Sequence, residues 1–583
     1  MDGDLSAADR GRRAVRTAAA LLIVGVVWAG LQLTGLGRTP FHTRGEPREA
    51  VVVQDLVATG NWILPRRNAS DLPRKPPLFY WLGGAAARVR GVVDEATVRL
   101  PSAALSGAAA LLLTAVVAAS LTPLAGAAAG LVLLTSFEWL RAATAARVDM
   151  TLAFGLTLAF LGLLRFRQRP RLAALLLFYA GVAWATLAKG IPGLAIPLLQ
   201  VGLLCAVDRS LTPLRQLRPL RGGLAVLLVV GAWYAAATLQ GGKAFLAIVA
   251  SENLHRIGGG GGSFDVGHQH SAAYLLGSLL AGLLPWTLLL PGVGLALWRD
   301  RATLTRTDPR LFALLWSIAV FAPHAIAASK RGVYLLPLYP AVALLLGWWT
   351  ERVVTGAAPA TATRRVAGAL VWPLALLLGL LALASFGQSA GLPLLDGLGA
   401  LARGRGAGDL DAVVAGLTID GAWFAALLAC ATAAALLAGV AAMRGWAAPL
   451  LGGLLLCTAA VALAVRLVIM PAIGRQQTRQ PFAAALRAAL ADPAALHTVP
   501  SLDYGTLFYW GAPMPVWDPA RGGEAPRYLL MPEATWQRAG TAVATRYRRV
   551  PGLRPARGND EGFPVVLERR DTPVRIDNPE GIP

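Results

Sequence analysis

Two carboxylates and two arginines stand close together in the stretch HTRGEPREA, residues 42–50, directly after a long apolar run. Glu46 is followed by Pro47, Arg48 and Glu49. A carboxylate can accept a proton from a weak nucleophile, and an arginine can stabilise a developing negative charge. Charge at the edge of an apolar segment marks a candidate functional site. The stretch therefore predicts one part of an active site.

The residues after this stretch predict a helix lying on a membrane surface. Val51, Val52, Leu56 and Val57 recur near helical spacing. A carboxylate in the first turn of a helix is favoured by the helix dipole. Glu46 therefore has two interpretations: it caps this helix, or it is the proton acceptor.

A cation follows in the same loop, in DLPRKPPLFYW. Arg74 and Lys75 precede Pro76 and Pro77, which restrict the backbone and prevent a helix there. The sequence therefore predicts that Lys75 is presented from rigid backbone.

A second candidate carboxylate is Asp149, in ARVDMT, just before a long apolar span. An aspartate entering hydrocarbon is costly unless it is paired or hydrogen-bonded. It either caps the following helix or pairs with Lys75 or another loop cation. We expect the ion pair, with Asp149 orienting Lys75.

Further turns also offer cations. Lys189 lies in LAKGIP, and Lys330 and Arg331 lie in SKRGVYLLPLYP. A single lysine at such a place commonly snorkels to the membrane surface. Several cationic turns together are more typical of a pocket for a polyanion. The remaining pocket candidates are Tyr334, Asn253, Arg256, His268 and His270. The H-x-H spacing is only a weak metal signal, so no metal ligand is predicted beyond His270 as a weak candidate.

The elements that must position these residues are membrane spans. The chain has 583 residues, of which 56% are hydrophobic and 15% charged, and its mean hydropathy is +0.55. Soluble domains carry roughly 25% charge. About thirteen apolar blocks have the length needed to cross hydrocarbon as helix. They lie near 15–36, 97–119, 122–137, 149–164, 172–187, 190–207, 223–238, 271–297, 310–328, 333–350, 366–386, 421–442 and 447–470.

Arginine bias predicts the orientation. The N-terminus and the short loops at 165–171, 208–221 and 298–310 are basic, which places them in the cytoplasm. This bias explains the net charge of +22 without nucleic-acid binding. The first apolar run is followed by no A-x-A-like site, which predicts an uncleaved first span. The three cysteines fall in apolar runs and indicate neither disulfides nor a metal site.

The end of the chain changes character. An amphipathic stretch after residue 471 is followed by short β-like runs, namely LHTVPSL, TLFYW, RYLLM and FPVVLERR. We therefore predict a membrane domain over 1–470, with a first loop at 37–96 on the side opposite the cytoplasm, and a small soluble α/β domain over 471–583 on that same side.

Five motifs in order resemble one enzyme superfamily. They are TRGEPREA…GNWILP…RKPPLFYW, RVDMTLAF, LAKGIPGL, ENLHRI…HQHSAAYL…PW and SKRGVYLLPLYP. Together they resemble the membrane glycosyltransferases of the protein O-mannosyltransferase and aminoarabinose-lipid A transferase superfamily. The match covers roughly residues 15–350, and the number of spans and the soluble tail also resemble that group.

This resemblance implies a GT-C fold and an inverting transfer at the periplasmic face of a bacterial inner membrane, from an undecaprenyl-phosphate-type sugar donor. The family opens its first loop with an acidic pair, which corresponds here to Gly45 and Glu46. Some lipid A transferases have a metal-associated glutamate before the loop lysine, where this chain has Arg74. The family thus allows a divalent metal, but Arg74 at this position argues against one here, and no cofactor is predicted.

In the predicted mechanism, Lys75 stabilises the leaving phosphate and Glu46 accepts the proton of the acceptor. The donor phosphate is also expected to contact further cations: Arg48, Arg74, Lys189, Arg256, Lys330 and Arg331. The acceptor is a lipid such as lipid A, a glycan, or a protein that becomes O-mannosylated. A transporter or flippase of a lipid-linked sugar is the alternative, but it would need polar residues through the bilayer midplane, and few are present. A non-catalytic scaffold is a third, weaker hypothesis.

Overall fold

The computed structural model describes a mostly helical chain. It covers residues 6–68, 71–258, 270–327, 329–357, 361–392, 394–395, 405–500, 503–518, 524–538, 543, 545–555 and 563–570. Among these residues, 11 helices are long and apolar enough to cross a membrane. They are Ala7–Leu33, Glu95–Ser120, Val148–Gln168, Leu172–Lys189, Ile191–Asp208, Pro219–Glu252, Pro309–Ile326, Gly332–Val354, Gly368–Ser389, Ile419–Arg444 and Ala447–Ala489.

Two further candidate spans are bent. Pro123–Thr135 meets Phe137–Ala143 at 67°, and Ala272–Gly282 meets Trp286–Thr303 at 101°. With each pair counted as one span the number reaches 13, which confirms the predicted architecture. The sequence predicted spans at 122–137 and 271–297, without their breaks. The breaks face each other, because the Phe137 N–H donates to the Leu284 carbonyl at 3.2 Å, and Pro285 supplies no N–H to continue its helix.

The shorter helices lie outside the spans. They are Gly45–Thr59, Leu78–Arg90, Thr212–Gln216, Tyr504–Trp510 and Glu533–Arg538. The first of them is the helix that the sequence predicted in the first loop. Val52 and Leu56 are buried as expected, whereas Val57 is exposed. Gly60, in a left-handed conformation that glycine adopts freely, ends this helix.

Small residues bring the two central spans into close contact. A Cβ at Gly155 would lie 2.8 Å from the Ala185 nitrogen, and one at Gly181 would lie 2.3 Å from the Ala159 nitrogen. Such glycines allow membrane helices to approach at backbone distance. Val148–Gln168 and Leu172–Lys189 therefore pack as neighbours, and the first turn of one lies beside the last turn of the other.

The two ends of the helical bundle differ in charge pattern. At one end Arg167 pairs with Asp208 at 3.0 Å and donates to the Arg306 carbonyl at 2.9 Å. The basic loops that the sequence assigned to one side therefore share one end. Asp149 lies in the first turn of the helix Val148–Gln168, and Arg167 lies in its last turn. At 1.5 Å per residue, the two ends of the bundle that these residues mark are roughly 30 Å apart.

The end of the chain forms a four-stranded sheet with the order β1-β2-β4-β3. The strands are β1 Leu496–Thr498, β2 Tyr528–Pro532, β3 Tyr547–Arg549 and β4 Pro564–Arg569. β1 and β2 are parallel, and the other two pairings are antiparallel. The predicted strands at RYLLM and FPVVLERR are confirmed. The predicted domain boundary near 470 stays a prediction, because helical turns continue to Ala489.

The prediction of a strand at TLFYW was wrong, because this stretch lies in the helix Tyr504–Trp510. The Asp503 side chain accepts hydrogen bonds from the N–H groups of Gly505 and Thr506, and Gly511 ends the helix in a left-handed conformation. These two caps outweigh the β propensity of the aromatic residues.

This helix and the residues after it dock onto the first loop. The Tyr509 hydroxyl donates to Glu95 at 2.6 Å and accepts from the Phe41 N–H at 2.8 Å. The Asn68 amide donates to the Met514 carbonyl at 2.7 Å and accepts from the Met514 N–H at 2.6 Å. The C-terminal region thus holds the loop that carries Glu46 and Lys75.

Replacing Asn68 with alanine is expected to destabilise this docking by about 2 kcal/mol, because it leaves a buried backbone N–H and carbonyl unpaired. Asn68 also has a φ of 61°, a conformation that asparagine tolerates better than alanine. The measurement is thermal unfolding in detergent together with limited proteolysis of the C-terminal region. Asn61→Ala is the control for docking, because the described hydrogen bonds of the Asn61 side chain stay within the first loop, at Ile63 and Leu64, and proteolysis of the C-terminal region should be unchanged.

Candidate active site

Glu46 is buried in an ion pair with Arg99. Its side chain is 8% exposed, and its two oxygens accept from the Arg99 guanidinium at 2.8 and 3.0 Å. Oε1 also accepts from the Ala146 N–H at 2.9 Å. Burial alone would raise the pKa of Glu46, but the Arg99 charge and these hydrogen bonds hold it below its usual value. A carboxylate held in this way is a weak base.

This geometry bears on the role predicted for Glu46 as a proton acceptor, which stays a prediction. Arg99 also donates to the Leu36 and Thr39 carbonyls, at 3.0 and 2.6 Å. The pair therefore ties the first loop to the span Glu95–Ser120 and to the backbone before Asp149. Glu46 fits a positioning role better than that of proton acceptor, because both of its oxygens are already engaged.

Glu49 forms a second buried cluster on the same helix. The Arg48 guanidinium donates to it at 3.0 and 2.7 Å, and the Tyr80 hydroxyl donates at 2.7 Å. Burial would raise the pKa of Glu49, but Arg48 and Tyr80 hold it below its usual value. Arg48 keeps part of its side chain exposed, and neither residue lines the cavity described below.

Asp149 pairs with Lys189, which is one of the other loop cations that the sequence analysis allowed, and not with Lys75. The close packing of their two helices brings the carboxylate and the ammonium group to the same depth. The Lys189 Nζ also lies 4.5 Å from the centre of the Tyr334 ring, within range of a cation–π interaction. Asp149 and Tyr334 therefore hold Lys189 in place.

A cavity of about 130 Å³ opens beside this pair. Its polar wall consists of Arg74, Lys75, Lys189 and Glu252. The other walls are apolar, aromatic or backbone: Pro73, Pro76, Gly190, Ile191, Pro192, Trp233, Tyr234, Phe245, Ile248 and Val249. A cationic wall facing an aromatic and aliphatic one suits an anionic group attached to a sugar or to an apolar tail.

Lys75 pairs with Glu252 across this cavity. The Lys75 Nζ donates to Glu252 Oε2 at 2.8 Å, and the Arg74 Nη1 lies 3.8 Å from Oε1. Lys75 and Glu252 both have side chains that are 18% exposed. Lys75, Asp149 and Lys189 therefore meet at one end of the bundle, as the sequence predicted, but through different partners.

The other predicted residues are distributed around this centre. Lys330 donates to the Ala327 carbonyl at 2.6 Å, and the Nε of Arg331 is buried with no hydrogen-bond partner among the described residues. Both lie on the segment before Tyr334, outside the cavity lining. His270 stacks on Tyr274, with ring centroids 4.2 Å apart, and does not line the cavity either. His268 and the side chains of Asn253 and Arg256 lie outside the described residues.

The residues at the cavity do not fit a metal ion. The place of a metal-associated glutamate is taken by Arg74, whose guanidinium has no lone pair to offer. Across the described parts of the chain, no group of three or more His, Cys, Asp or Glu side chains could hold a metal.

Two important residues were missed at the sequence level. Glu252 was visible as a carboxylate at the end of an apolar block, and Arg99 as a cation at the start of one. An ionisable residue in such a position calls for a partner, and that signal could have identified both.

Replacing Asp149 with alanine is expected to destabilise the protein by about 3 kcal/mol, because Lys189 keeps a buried charge without its counter-charge. Adding Lys189→Met should recover part of this loss, since the unpaired charge is then removed. Thermal unfolding of the two single variants and the double variant gives the coupling energy. Simple additivity of the two losses would contradict the pairing.

Comparisons with known proteins identify similar sequences and a similar fold. Residues 74–235 match the family described as dolichyl-phosphate-mannose-protein mannosyltransferase. One relative is the undecaprenyl phosphate-alpha-4-amino-4-deoxy-L-arabinose arabinosyl transferase of Aeromonas salmonicida. The two sequences are 29% identical over 320 residues, and the aligned region covers 54% of this chain and 57% of the relative. This chain is 26% identical over 359 residues to the Pectobacterium atrosepticum protein of the same name, covering 59% and 60%. The matched part thus spans less than two thirds of these relatives.

The fold is similar to that of a solved structure over nearly the whole chain. The crystal structure of ArnT from Cupriavidus metallidurans bound to undecaprenyl phosphate has a TM-score of 0.72 at 21% identity, and covers 96% of this chain and 98% of that one. The relatives and the candidate spans indicate a multi-pass protein of a bacterial inner membrane. The family match, the relatives and the fold together support placing the chain in the GT-C superfamily of membrane glycosyltransferases.

Proposed function

We propose that this chain transfers a sugar from a polyprenyl-phosphate-linked donor to a lipid, glycan or protein acceptor. The observation that carries the proposal is the cavity between Lys75, Lys189 and the aromatic wall of Trp233 and Tyr234. The arginine bias of the opposite end supports a cytoplasmic N-terminus and a periplasmic cavity. The C-terminal sheet then lies in the periplasm as well.

The cavity can receive each part of such a donor. Lys75 and Arg74 offer N–H groups to the phosphate, and Lys189 adds a third positive charge. Ile191, Ile248 and Val249 offer apolar surface to the first isoprene units. The rings of Trp233 and Tyr234 suit the flat apolar face of a sugar.

The reaction requires the bond between the anomeric carbon and the phosphate oxygen to break. The bonding electrons stay on the phosphate oxygen, and cations in a partly dry site lower the barrier by stabilising that charge. The acceptor oxygen forms the new bond on the opposite face of the sugar and releases its proton to a base on that face. Asp149 positions Lys189, and the Glu46–Arg99 pair holds the loop that carries Lys75.

Mass spectrometry of glycolipids and surface glycans tests this function. Cells that produce the chain are compared with cells that lack it and with cells that produce the Lys75→Ala variant. We expect a glycoform that only the unaltered chain produces. Identical lipids and glycans in all three strains would contradict the proposal.

A further inference from the structure

The cationic wall of the cavity already holds an anion that belongs to the chain. The Glu252 carboxylate accepts from the Lys75 Nζ at 2.8 Å and lies 3.8 Å from the Arg74 guanidinium. A carboxylate oxygen and a phosphate oxygen accept from the same N–H donors at similar distances. Glu252 therefore occupies N–H groups of Lys75 and Arg74 that a phosphate at this wall would bind.

The segment that carries Glu252 is set off from the rest of its helix. Within Pro219–Gly258 the backbone of Gly242 has φ 56° and ψ −146°, which is not helical and which glycine adopts most readily. The residues from Lys243 to Glu252 thus form a separate helical arm. Phe245 of this arm packs edge-on against Trp233, with ring centroids 5.8 Å apart, and Ile248 lines the cavity.

We propose that Glu252 is an internal competitor that occupies the phosphate-binding position on Lys75 and Arg74 until the lipid phosphate displaces it. This inference rests on the proposed function, since it takes these two cations to be the phosphate-binding groups. The arm hinged at Gly242 provides a way for the carboxylate to leave without disturbing the span before it.

The position of Glu252 does not suit a proton acceptor. In a transfer with inversion, the acceptor hydroxyl approaches the anomeric carbon from the face opposite the phosphate. Glu252 binds the same ammonium group that would bind the phosphate, so it lies on the leaving-group side. Competition with the phosphate is the role that this placement allows.

An internal competitor lowers the apparent affinity for every phosphate ligand by one common factor. The factor is the reciprocal of the fraction of molecules in which the cations are available. A carboxylate that is in place about 90% of the time weakens binding by about tenfold. The length of the lipid tail does not enter this factor, because Glu252 contacts the cations at the phosphate position.

The test measures binding of undecaprenyl phosphate and of the short-chain farnesyl phosphate to the purified full-length chain in detergent. Glu252→Gln keeps the size of the side chain and removes its charge. We expect it to lower the Kd for both ligands by about tenfold and by the same factor. Glu533→Gln is the matched control, because Glu533 also faces two arginines, with a side chain that is 20% exposed. This control should leave both Kd values unchanged.

A second variant acts on the hinge. Gly242→Ala adds a side chain where the backbone has a positive φ and where no atom lies within 4 Å, so the cost is backbone strain alone. It should move Glu252 off Lys75 and tighten binding in the same direction, and Glu252→Gln should then add little. Unchanged Kd values in Glu252→Gln, with normal binding by the unaltered chain, would overturn the competitor alone. If neither the unaltered chain nor Glu252→Gln bound undecaprenyl phosphate, both the competitor role of Glu252 and the proposed function would be overturned.

Discussion

Replacing Lys75 with alanine is expected to lower the rate of sugar transfer by a factor of roughly 10²–10³, the usual cost of removing one group that stabilises a developing oxyanion. Lys75 is the cavity cation held on rigid backbone between Arg74 and Pro76, and its ammonium group already binds an anion in the structure. Without it, the described residues of the cavity wall offer the leaving phosphate only Arg74 and the paired Lys189. The measurement is transfer from a radiolabelled polyprenyl-phosphate sugar in membranes.

Lys243→Ala serves as the control for this experiment. Lys243 is an exposed lysine on the same arm as Glu252, but it does not line the cavity. Its removal should leave the rate within about twofold of the unaltered chain, as expected for an exposed surface residue. If Lys75→Ala transferred sugar at the normal rate, the cavity would not be the donor phosphate site.

Replacing Glu46 with glutamine is expected to lower the free energy of unfolding by about 3 kcal/mol, because Arg99 would remain buried without its counter-charge. The transfer activity should fall in proportion to the loss of folded protein. Thermal unfolding in detergent, measured beside the activity, tests both expectations. Glu568→Gln, which breaks the more exposed pair with Arg548 at 2.8 Å, should cost less than 1 kcal/mol.

The same experiment separates the two interpretations of Glu46. A variant that unfolds at the normal temperature but loses transfer would support the proton acceptor that the sequence predicted. A variant that unfolds early, and that transfers sugar at a normal rate per folded molecule, would support the positioning role. The Arg99 pair makes the second result the expected one.

The stability contributed by Glu46 should also depend on pH. Because its pKa in the folded chain is held below the ordinary value, the contribution is complete above the pKa of an unfolded glutamate, about 4.3, and is lost as the pH falls through the lower folded value. Glu49 shifts in the same direction. Unfolding temperatures measured from neutral pH down to about pH 3 should therefore fall less steeply for Glu46→Gln than for the unaltered chain.

The elements of the fold could largely be predicted from the sequence, because they depend on local patterns. The apolar blocks predicted the number of spans, and the spacing of Val52 and Leu56 predicted the helix Gly45–Thr59. Local patterns failed where a contact or a cap outweighed them. Examples are the helix at TLFYW, capped by Asp503 and Gly511, and the two spans whose breaks meet at Phe137 and Leu284.

The site could be predicted only in part. The sequence identified Lys75, Asp149 and Lys189 as ionisable residues at one side of the membrane, because each borders an apolar block. It could not assign their partners, since Lys75 and Glu252 are 177 residues apart in the chain and Asp149 and Lys189 are 40 apart.

By itself, the sequence determined which segments are apolar enough to cross the membrane and which charged residues lie at one end of them. Each charged residue is costly in hydrocarbon whatever the rest of the fold does, so this information is local. Tertiary structure alone decided that Glu46 binds Arg99, that Asp149 binds Lys189 and that Glu252 faces Lys75. These pairings depend on how closely the helices approach and on where the first loop is held by the C-terminal region. A buried charge pairs with whichever opposite charge the packing of the helices places next to it. That packing depends on the whole chain and cannot be read from the residues around the charge.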